Sequence, residues 1–395
     1  MAGFPAKPAR SLPPTVRALG WTSFLTDFSS EAIYPLLPGF LLREIGTSSL
    51  GVGLIDGIAN AVAAVVRLPS GGLSDRLGRR RLVLLGYGLS ALVRPLMGIV
   101  TTPFGALAVR AADRFGKGIR SAPRDALVAD MVEPRLRGRA FGHIRAMDHA
   151  GAAIGPLAAM LFLLAFPGRE RLLFLLAVLP GLATIAVVRR FVHDAGVRAA
   201  AAPRTALAPR LSVPQGLLLG SVAVWSLGAA SEQFLLMRAT ELGVPQAFVP
   251  LVWLTVSLAK SGTATLAGRL ADRWHPRAAL ALGWLVFAAA YAGLAATARP
   301  TTAVVFMTLV GVGYGLSEPA ERALVSSLAP ESRQGGAFGW YALVQGIMSL
   351  PAGLLAGWLW QREEYGPRAA FAVTAILAAA ACGLLSLLRP TRSGP

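Results

Sequence analysis

Apolar residues run through this chain in long unbroken stretches, not in short alternations. Twelve such stretches are evident, at approximately 19–42, 50–70, 82–100, 103–128, 139–166, 172–188, 216–237, 248–268, 278–298, 301–328, 337–360 and 369–388. A run of about 20 apolar residues is long enough to cross a bilayer as a helix. Within lipid only helices and closed barrels satisfy the backbone. The runs are continuous and rich in Leu, Ala, Val and Gly, which predicts helices over alternating barrel strands. The expected fold class is an all-α polytopic membrane protein with twelve transmembrane helices.

The polar residues between the runs set organisation and orientation. The segment "HDAGVRAAAAPRTALAPRLSVPQ" is unlike any apolar run and reads as a loop joining two six-helix halves. The expected division is a tail at 1–18, a bundle at 19–190, a linker at 191–214, a second bundle at 215–389 and a tail at 390–395. The start, "MAGFPAKPARSLPPTVRALG", is basic and proline-rich with no small-residue cleavage site, so it reads as an uncleaved tail. With the N-terminus inside, the cytoplasmic loops hold Arg76, Arg79, Arg80, Arg81, Arg135, Arg137, Arg189, Arg190, Arg198, Arg204, Arg210, Arg273 and Arg277. The opposite loops hold few basic residues, and these sit beside acids: Arg43 with Glu44, Arg169 and Arg171 with Glu170, Arg362 with Glu363 and Glu364. This positive-inside pattern places both termini in the cytoplasm. The expected location is a bacterial-type inner (plasma) membrane, crossed many times.

Composition narrows the function classes. Of 395 residues 54% are hydrophobic and only 15% charged, against about 25% charged in soluble domains. The net charge of +18 is accounted for by the cytoplasmic loops, and no soluble basic module exists to bind nucleic acid. The single cysteine, Cys382, excludes an internal disulfide and a cysteine metal cluster. "GVGYG" (311–315) lies inside an apolar run and is not a phosphate loop. No Walker A or G-x-S-x-G sequence occurs. No cofactor, resident metal or enzymatic activity is expected. The expected partners are the lipid bilayer and a small-molecule substrate, with the chain acting as a monomer.

The halves echo each other. Asp75-Arg76 matches Asp272-Arg273, "ALV" at 126–128 matches "ALV" at 323–325, and "AFG" at 140–142 matches "AFG" at 337–339, all at an offset of 197 residues. Duplicated six-helix units of this kind typify transporters with a site at the repeat interface. From end to end the chain resembles the major facilitator superfamily. "GGLSDRLGRRR" (71–81) resembles that family's motif A, and "AGRLADRWHPR" (267–277) is its decayed copy. "RAADRFGKG" (110–118) resembles motif B, departing from it at Arg114, where a small residue is usual. "GAAIGP", with Gly151, Gly155 and Pro156, resembles motif C, which the family associates with antiport. Motif A is expected to act as a gate. Gly72 would allow close helix approach, Gly78 lies at the turn, and Asp75, Arg76, Arg79 and Arg80 would form contacts that exist in one conformation only.

Ionisable residues at mid-membrane are costly and mark functional positions. On the first helix Asp27 and Glu31 share a face, with Glu31 about 18 Å along the axis. Ser231-Glu232 is a weaker echo on the seventh. The fourth helix carries a stripe of Arg110, Arg114, Lys117, Arg120 and Arg124, with Asp113 inside it. Arg110 and Arg114 are too deep to snorkel, and Asp27, Glu31 and Asp113 are their expected partners. On the fifth helix Asp148 lies at mid-depth beside His149, which titrates near neutral pH; the repeat partner of Asp148 is Gln345. Lys260 on the eighth helix is expected to pair with Glu232 or to hold an anionic substrate. Arg67 and Arg94 read as structural.

These features predict a secondary transporter working by alternating access. The first reading is proton-coupled antiport exporting a small organic molecule, since an acid on the first helix facing an arginine on the fourth resembles proton-responsive multidrug exporters of that superfamily. The alternatives are a symporter or exchanger of an anionic metabolite, a metal-ion carrier using Asp27, Glu31, Asp148 and His149, and a non-transporting receptor or scaffold. The last needs no moving halves.

Overall fold

The computed structural model describes residues 12–133, 136–194, 211–229, 231–271, 276–329, 334–362, 364 and 366–388. Their helices form twelve spans. Span α1 is Pro14–Ile33 continued by Tyr34–Leu36 and Leu37–Arg43; α2 is Ser49–Leu77; α3 is Arg79–Val93 continued by Arg94–Ile99; α4 is Pro103–Met131; α5 is Arg137–Ala165; α6 is Glu170–Leu176 with Val178–Phe191. Span α7 is Val213–Gly228 with Gln233–Glu241; α8 is Val249–Ala271; α9 is Pro276–Ala296; α10 is Pro300–Ser327; α11 is Gln334–Trp360; α12 is Gly366–Ser386. Ten of these helices are long and apolar enough to cross a membrane. The other two, α1 and α4, carry charged residues that line the cavity described below.

Local sequence explains several boundaries. Span α1 begins at Pro14, before the expected start near residue 19, because proline at the first helical position sacrifices an N–H that has no partner anyway. Pro35 and Pro38 interrupt the outer end of the same span and leave a short 3-10 turn. Span α7 starts with a capping box, Ser212 with Gln215. It then breaks between Gly228 and Gln233, opening backbone at mid-depth. Gly78 separates α2 from α3 at φ 92°, a conformation that favours glycine. The linker at 195–210, most of the N-terminal tail, the C-terminal residues 389–395, and Asp272 and Arg273 lie outside the described residues.

The repeat reaches well beyond the three sequence matches. Arg79, Pro103 and Arg137 start α3, α4 and α5; Pro276, Pro300 and Gln334 start α9, α10 and α11, each 197 residues later. Packing repeats as well: α1 with α5 and α6, α2 with α4, and α3 with α4 and α6 recur as α7 with α11 and α12, α8 with α10, and α9 with α10 and α12. Gly86 of α3 meets Gly116 of α4 backbone to backbone, and Gly283 of α9 meets Gly313 of α10 in the same way. Small residues at such crossings let helices approach where lipid supplies no hydrophobic drive.

The halves meet mainly along α2 and α11. Ser49 donates to the Gly357 carbonyl at 3.4 Å, Gly53 lies against Gly353, Ser349 donates to the Gly57 carbonyl at 3.1 Å, and Ala64 lies against Gly346. This seals the end of the molecule that carries Ser49. Toward the other end, a side chain added at Gly72 would meet nothing within 4 Å.

Candidate functional site

Spans α1, α3 and α4 enclose a polar cavity of about 120 Å³ in the first half. Its walls include Asp27, Ser30, Glu31, Tyr34, Arg94, Arg110, Asp113, Arg114, Lys117 and Arg120. Helical spacing puts these groups together: Asp27 and Glu31 stand one turn apart on α1, and the cations of α4 recur every three or four residues. Two charge pairs are fixed and buried. Arg94 bonds Asp113 at 3.0 Å and the Thr26 carbonyl at 3.2 Å. Arg110 bonds Asp56 of α2 at 2.8 Å and lies over the Tyr34 ring. Arg120 bonds Ser90 at 2.7 Å and faces the Tyr87 ring. Asp27, Arg114 and Lys117 form no ion pair among the described residues, and the Arg114 Nε has no hydrogen-bond partner. The cavity therefore sets Asp27 and Glu31 of α1 across from Arg114 and Lys117 of α4 with no direct ion pair between them.

These pairings correct two expectations. The partner of Arg110 is Asp56, not an acid of α1, because Asp56 faces α4 across the tight α2–α4 crossing at Gly118. Asp113 is taken by Arg94, which leaves Arg114 open to the cavity.

Two acids of the first half, one of them lining the cavity, also reach the second half. The Trp253 indole of α8 donates to Glu31 at 2.7 Å, and its ring packs on Tyr34 with centroids 5.1 Å apart. Ser231, at the break in α7, donates to Asp56 at 2.6 Å; Asn60 adds a second bond at 3.0 Å. Asp56 and Trp253 are themselves 197 residues apart. One member of each of these two contacts thus occupies an equivalent position in its repeat.

The other sequence-predicted residues fall around this centre. Asp148 lies 4.0 Å from Arg124. His149 meets Ser261 of α8 at 3.0 Å, another cross-half contact. Glu232 stands at the α7 break. Lys260 pairs not with Glu232 but with Glu318 of α10 at 3.5 Å, and lies over the Tyr314 ring. Gln345 belongs to a separate buried cluster around Glu321. Gly151 and Gly155 press α5 onto α1 at Phe24, Asp27 and Phe28, so the motif C glycines fix the position of the cavity acids; Pro156 lies one residue beyond, also buried.

The motif A residues sit at the end away from Ser49. Arg79 bonds Asp130 and the Ala126 carbonyl of α4, Arg80 bonds the Arg189 carbonyl, and the Arg80 amide donates to Asp194. All are bonds within the first half. Among the described residues Asp75 bonds only Arg79, at 3.4 Å, and Arg76 is exposed. The close approach expected at Gly72 is absent: a side chain added there would meet nothing within 4 Å.

The model of the Major Facilitator Superfamily matches residues 19–237 and again 216–395. The chain belongs to that superfamily. It is 30% identical to an uncharacterized MFS-type transporter of Methanocaldococcus jannaschii, over 93% of each chain. Multidrug resistance protein MdtH of Photorhabdus laumondii is 28% identical over 37% of this chain and 38% of its own. In fold it resembles a bacterial homologue of the human lysosomal transporter Spinster, solved in an inward-facing and occupied conformation, at TM-score 0.78 and 17% identity over 97% of each chain. The protein is an MFS transporter in a multi-pass membrane fold, not an enzyme.

Sequence reasoning missed several residues of this MFS site. Asp56 lies in a run read simply as apolar, "VGLIDGIANAVAAVV", although a lone acid there meets the same criterion that singled out Glu31. Glu318 and Glu321 of α10 were passed over in the same way. Trp253 carried no chemical signal of its own; only its place opposite Asp56 in the repeat would have marked it.

Proposed function

We propose that the protein is a proton-coupled antiporter that moves a small organic molecule out of the cytoplasm. The observation that carries this reading is the pair Asp27 and Glu31, cavity-facing carboxylates without an ion pair among the described residues. A charge partly withdrawn from water without an ion pair is costly, and binding a proton or a cationic or polar ligand relieves that cost. Proton and substrate then compete for one site, which is the requirement for antiport. The likeness to MdtH over part of the chain agrees with export. The basic loops support an orientation with the motif A end and both termini in the cytoplasm, as expected in a bacterial-type inner membrane. On that orientation the sealed end is the outer one, and the conformation is inward-facing.

Arg114 and Lys117 support a second reading, symport of an anion. An anion bound there would raise the cost of charged Asp27 and Glu31, so substrate would recruit a proton instead of displacing it. Linkage fixes the sign in both cases. A thermal-shift screen of charged and neutral compounds on purified protein identifies a ligand. Its transport is then followed in inside-out vesicles that are acid inside. Antiport predicts uptake that collapses with a protonophore and a rise in lumenal pH on adding substrate. Proton movement in the same direction as substrate establishes the symporter instead. Glu31→Gln should remove the pH dependence while leaving a neutral ligand bound, and an unaltered pH profile excludes Glu31.

A further inference from the structure

The repeat offset places one cluster of the first half on a cluster of the second, with the central charge reversed. In the first half Arg124 of α4 is surrounded by Asp125 at 3.0 Å, Ser23 at 3.2 Å and Asp148 at 4.0 Å. Adding 197 residues to Arg124 gives Glu321, to Asp148 gives Gln345, and to Tyr87 of α3 gives Trp284. These three form a cluster of their own. Glu321, 1% exposed, accepts from the Trp284 indole at 3.2 Å, the Tyr341 hydroxyl at 2.5 Å and the Gln345 amide at 3.2 Å. Tyr341 and Gln345 also bond each other at 2.9 Å.

Among the described residues no cation bonds Glu321. The cation beside it on its own helix, Arg322, bonds Glu318 at 2.6 Å, and the same Glu318 takes Lys260 of α8. From α11 the titratable neighbour is Tyr341, and α9 contributes only the neutral Trp284. A buried carboxylate held solely by neutral donors differs in kind from the paired acids Asp56 and Asp113.

We propose that Glu321 is a second proton-binding site, in the half opposite the cavity. The surrounding groups accommodate both states. Trp284 only donates, but the Tyr341 hydroxyl donates or accepts, and rotation of the Gln345 amide exchanges its N–H for its carbonyl. With Glu321 charged, three donors converge on it. With Glu321 protonated, its new O–H donates to the Tyr341 oxygen or to the turned Gln345 carbonyl, so no buried polar atom is orphaned. The proton comes from water and reaches the cluster at Gln345, its half-buried member. At the equivalent place in the first half stands Arg124, whose guanidinium keeps its proton throughout. One repeat holds a permanent charge where the other holds a switchable one.

The proposal deepens the proton-coupled reading and is separable from it. The purified full chain in liposomes is titrated between about pH 5 and pH 9, a window that takes in strongly perturbed carboxylates. The probe is the proton alone, and the readout is the carbonyl band of protonated carboxyl groups in infrared difference spectra. Glu321→Gln should remove one component of that band, and Asp27→Asn with Glu31→Gln should leave that component in place. Tyr341→Phe, which deletes one donor but keeps the ring, should move its midpoint. A Glu321→Gln spectrum that superimposes on the wild type overturns the proposal. If that variant aggregates, an unmoved midpoint in Tyr341→Phe overturns it equally. Loss of gradient-driven transport in the α1 variants bears only on Asp27 and Glu31, and transport that ignores the gradient leaves the infrared result standing.

Discussion

Neutralising Asp56 tests whether the buried pair with Arg110 organises the cavity. Both side chains are almost fully buried and their charged atoms are 2.8 Å apart. At an effective dielectric of about 20, charges at that separation attract by roughly 6 kcal/mol. Desolvation of the two groups offsets much of this. What a mutation measures is the cost of stranding the survivor, about 3–5 kcal/mol for a buried pair. Arg110 borders a cavity that admits water, which places the expected loss at the lower end, about 3 kcal/mol. Asp56→Asn also keeps the side-chain shape and a carbonyl for Ser231, so the loss reports charge and not packing. Arg110→Met should cost a similar amount. The double variant, with neither charge stranded, should cost far less than the two singles together. The assay is a double-mutant cycle by denaturant unfolding of the purified protein in mixed micelles. Single-variant costs that add to the double within about 0.5 kcal/mol would refute the coupling, and Arg110 would then be held by water and the Tyr34 ring.

Three further outcomes follow from close contacts and open ones. A β-carbon at Gly155 would lie 2.6 Å from the Phe28 carbonyl oxygen; Gly155→Val should therefore push α1 from α5, cost about 1–3 kcal/mol and abolish transport, and a variant with wild-type thermal stability and turnover would show that α1 is not fixed there. Gly353→Ala collides with the Gly53 backbone and should loosen the sealed end, read as faster labelling of a cysteine placed at Ser349 in a Cys382→Ala background; unchanged labelling would remove α2–α11 from the gate. Asp75→Asn breaks only the bond to Arg79 in this conformation and should leave ligand affinity intact while slowing transport; wild-type turnover would take Asp75 out of the alternation.

The fold was legible because its signals are long and redundant. Each apolar run exceeds what a soluble helix needs, and matched motifs at one fixed offset disclosed the duplication. The acids and bases of α1 and α4 were legible for the same reason, since charge in a bilayer is costly wherever it points. Pairing was not legible. Depth along a helix narrows the choice of partner but does not fix which face meets which neighbour. Arg110 therefore went to Asp56, and Asp113 to Arg94, on contacts set by the crossings at Gly118, Gly86 and Gly116. The offset itself held more than was drawn from it. It relates Asp56 to Trp253 and Arg124 to Glu321, residues of unlike chemistry on like positions, and a search for matching letters passes over such pairs.

That divergence bears on how the halves are coupled. The skeleton of small residues is kept in both repeats, so the same helix crossings and the same rigid bodies result. The charges are not kept: the cavity lies in the first half, and the second half supplies Trp253 and Ser231 as donors to two first-half acids, Glu31 and Asp56. A bond to an ionised carboxylate is roughly twice as strong as one between neutral groups. On the proton-coupled reading, a proton arriving at Glu31 weakens the Trp253 bond that helps hold the halves together beside the cavity. Asp56, already matched to Arg110, keeps its bond to Ser231 and acts as the pivot. Occupancy and closure are then one event at one atom. No separate relay between site and gate is required on that reading, because Glu31, its proton-binding residue, also bonds the second half.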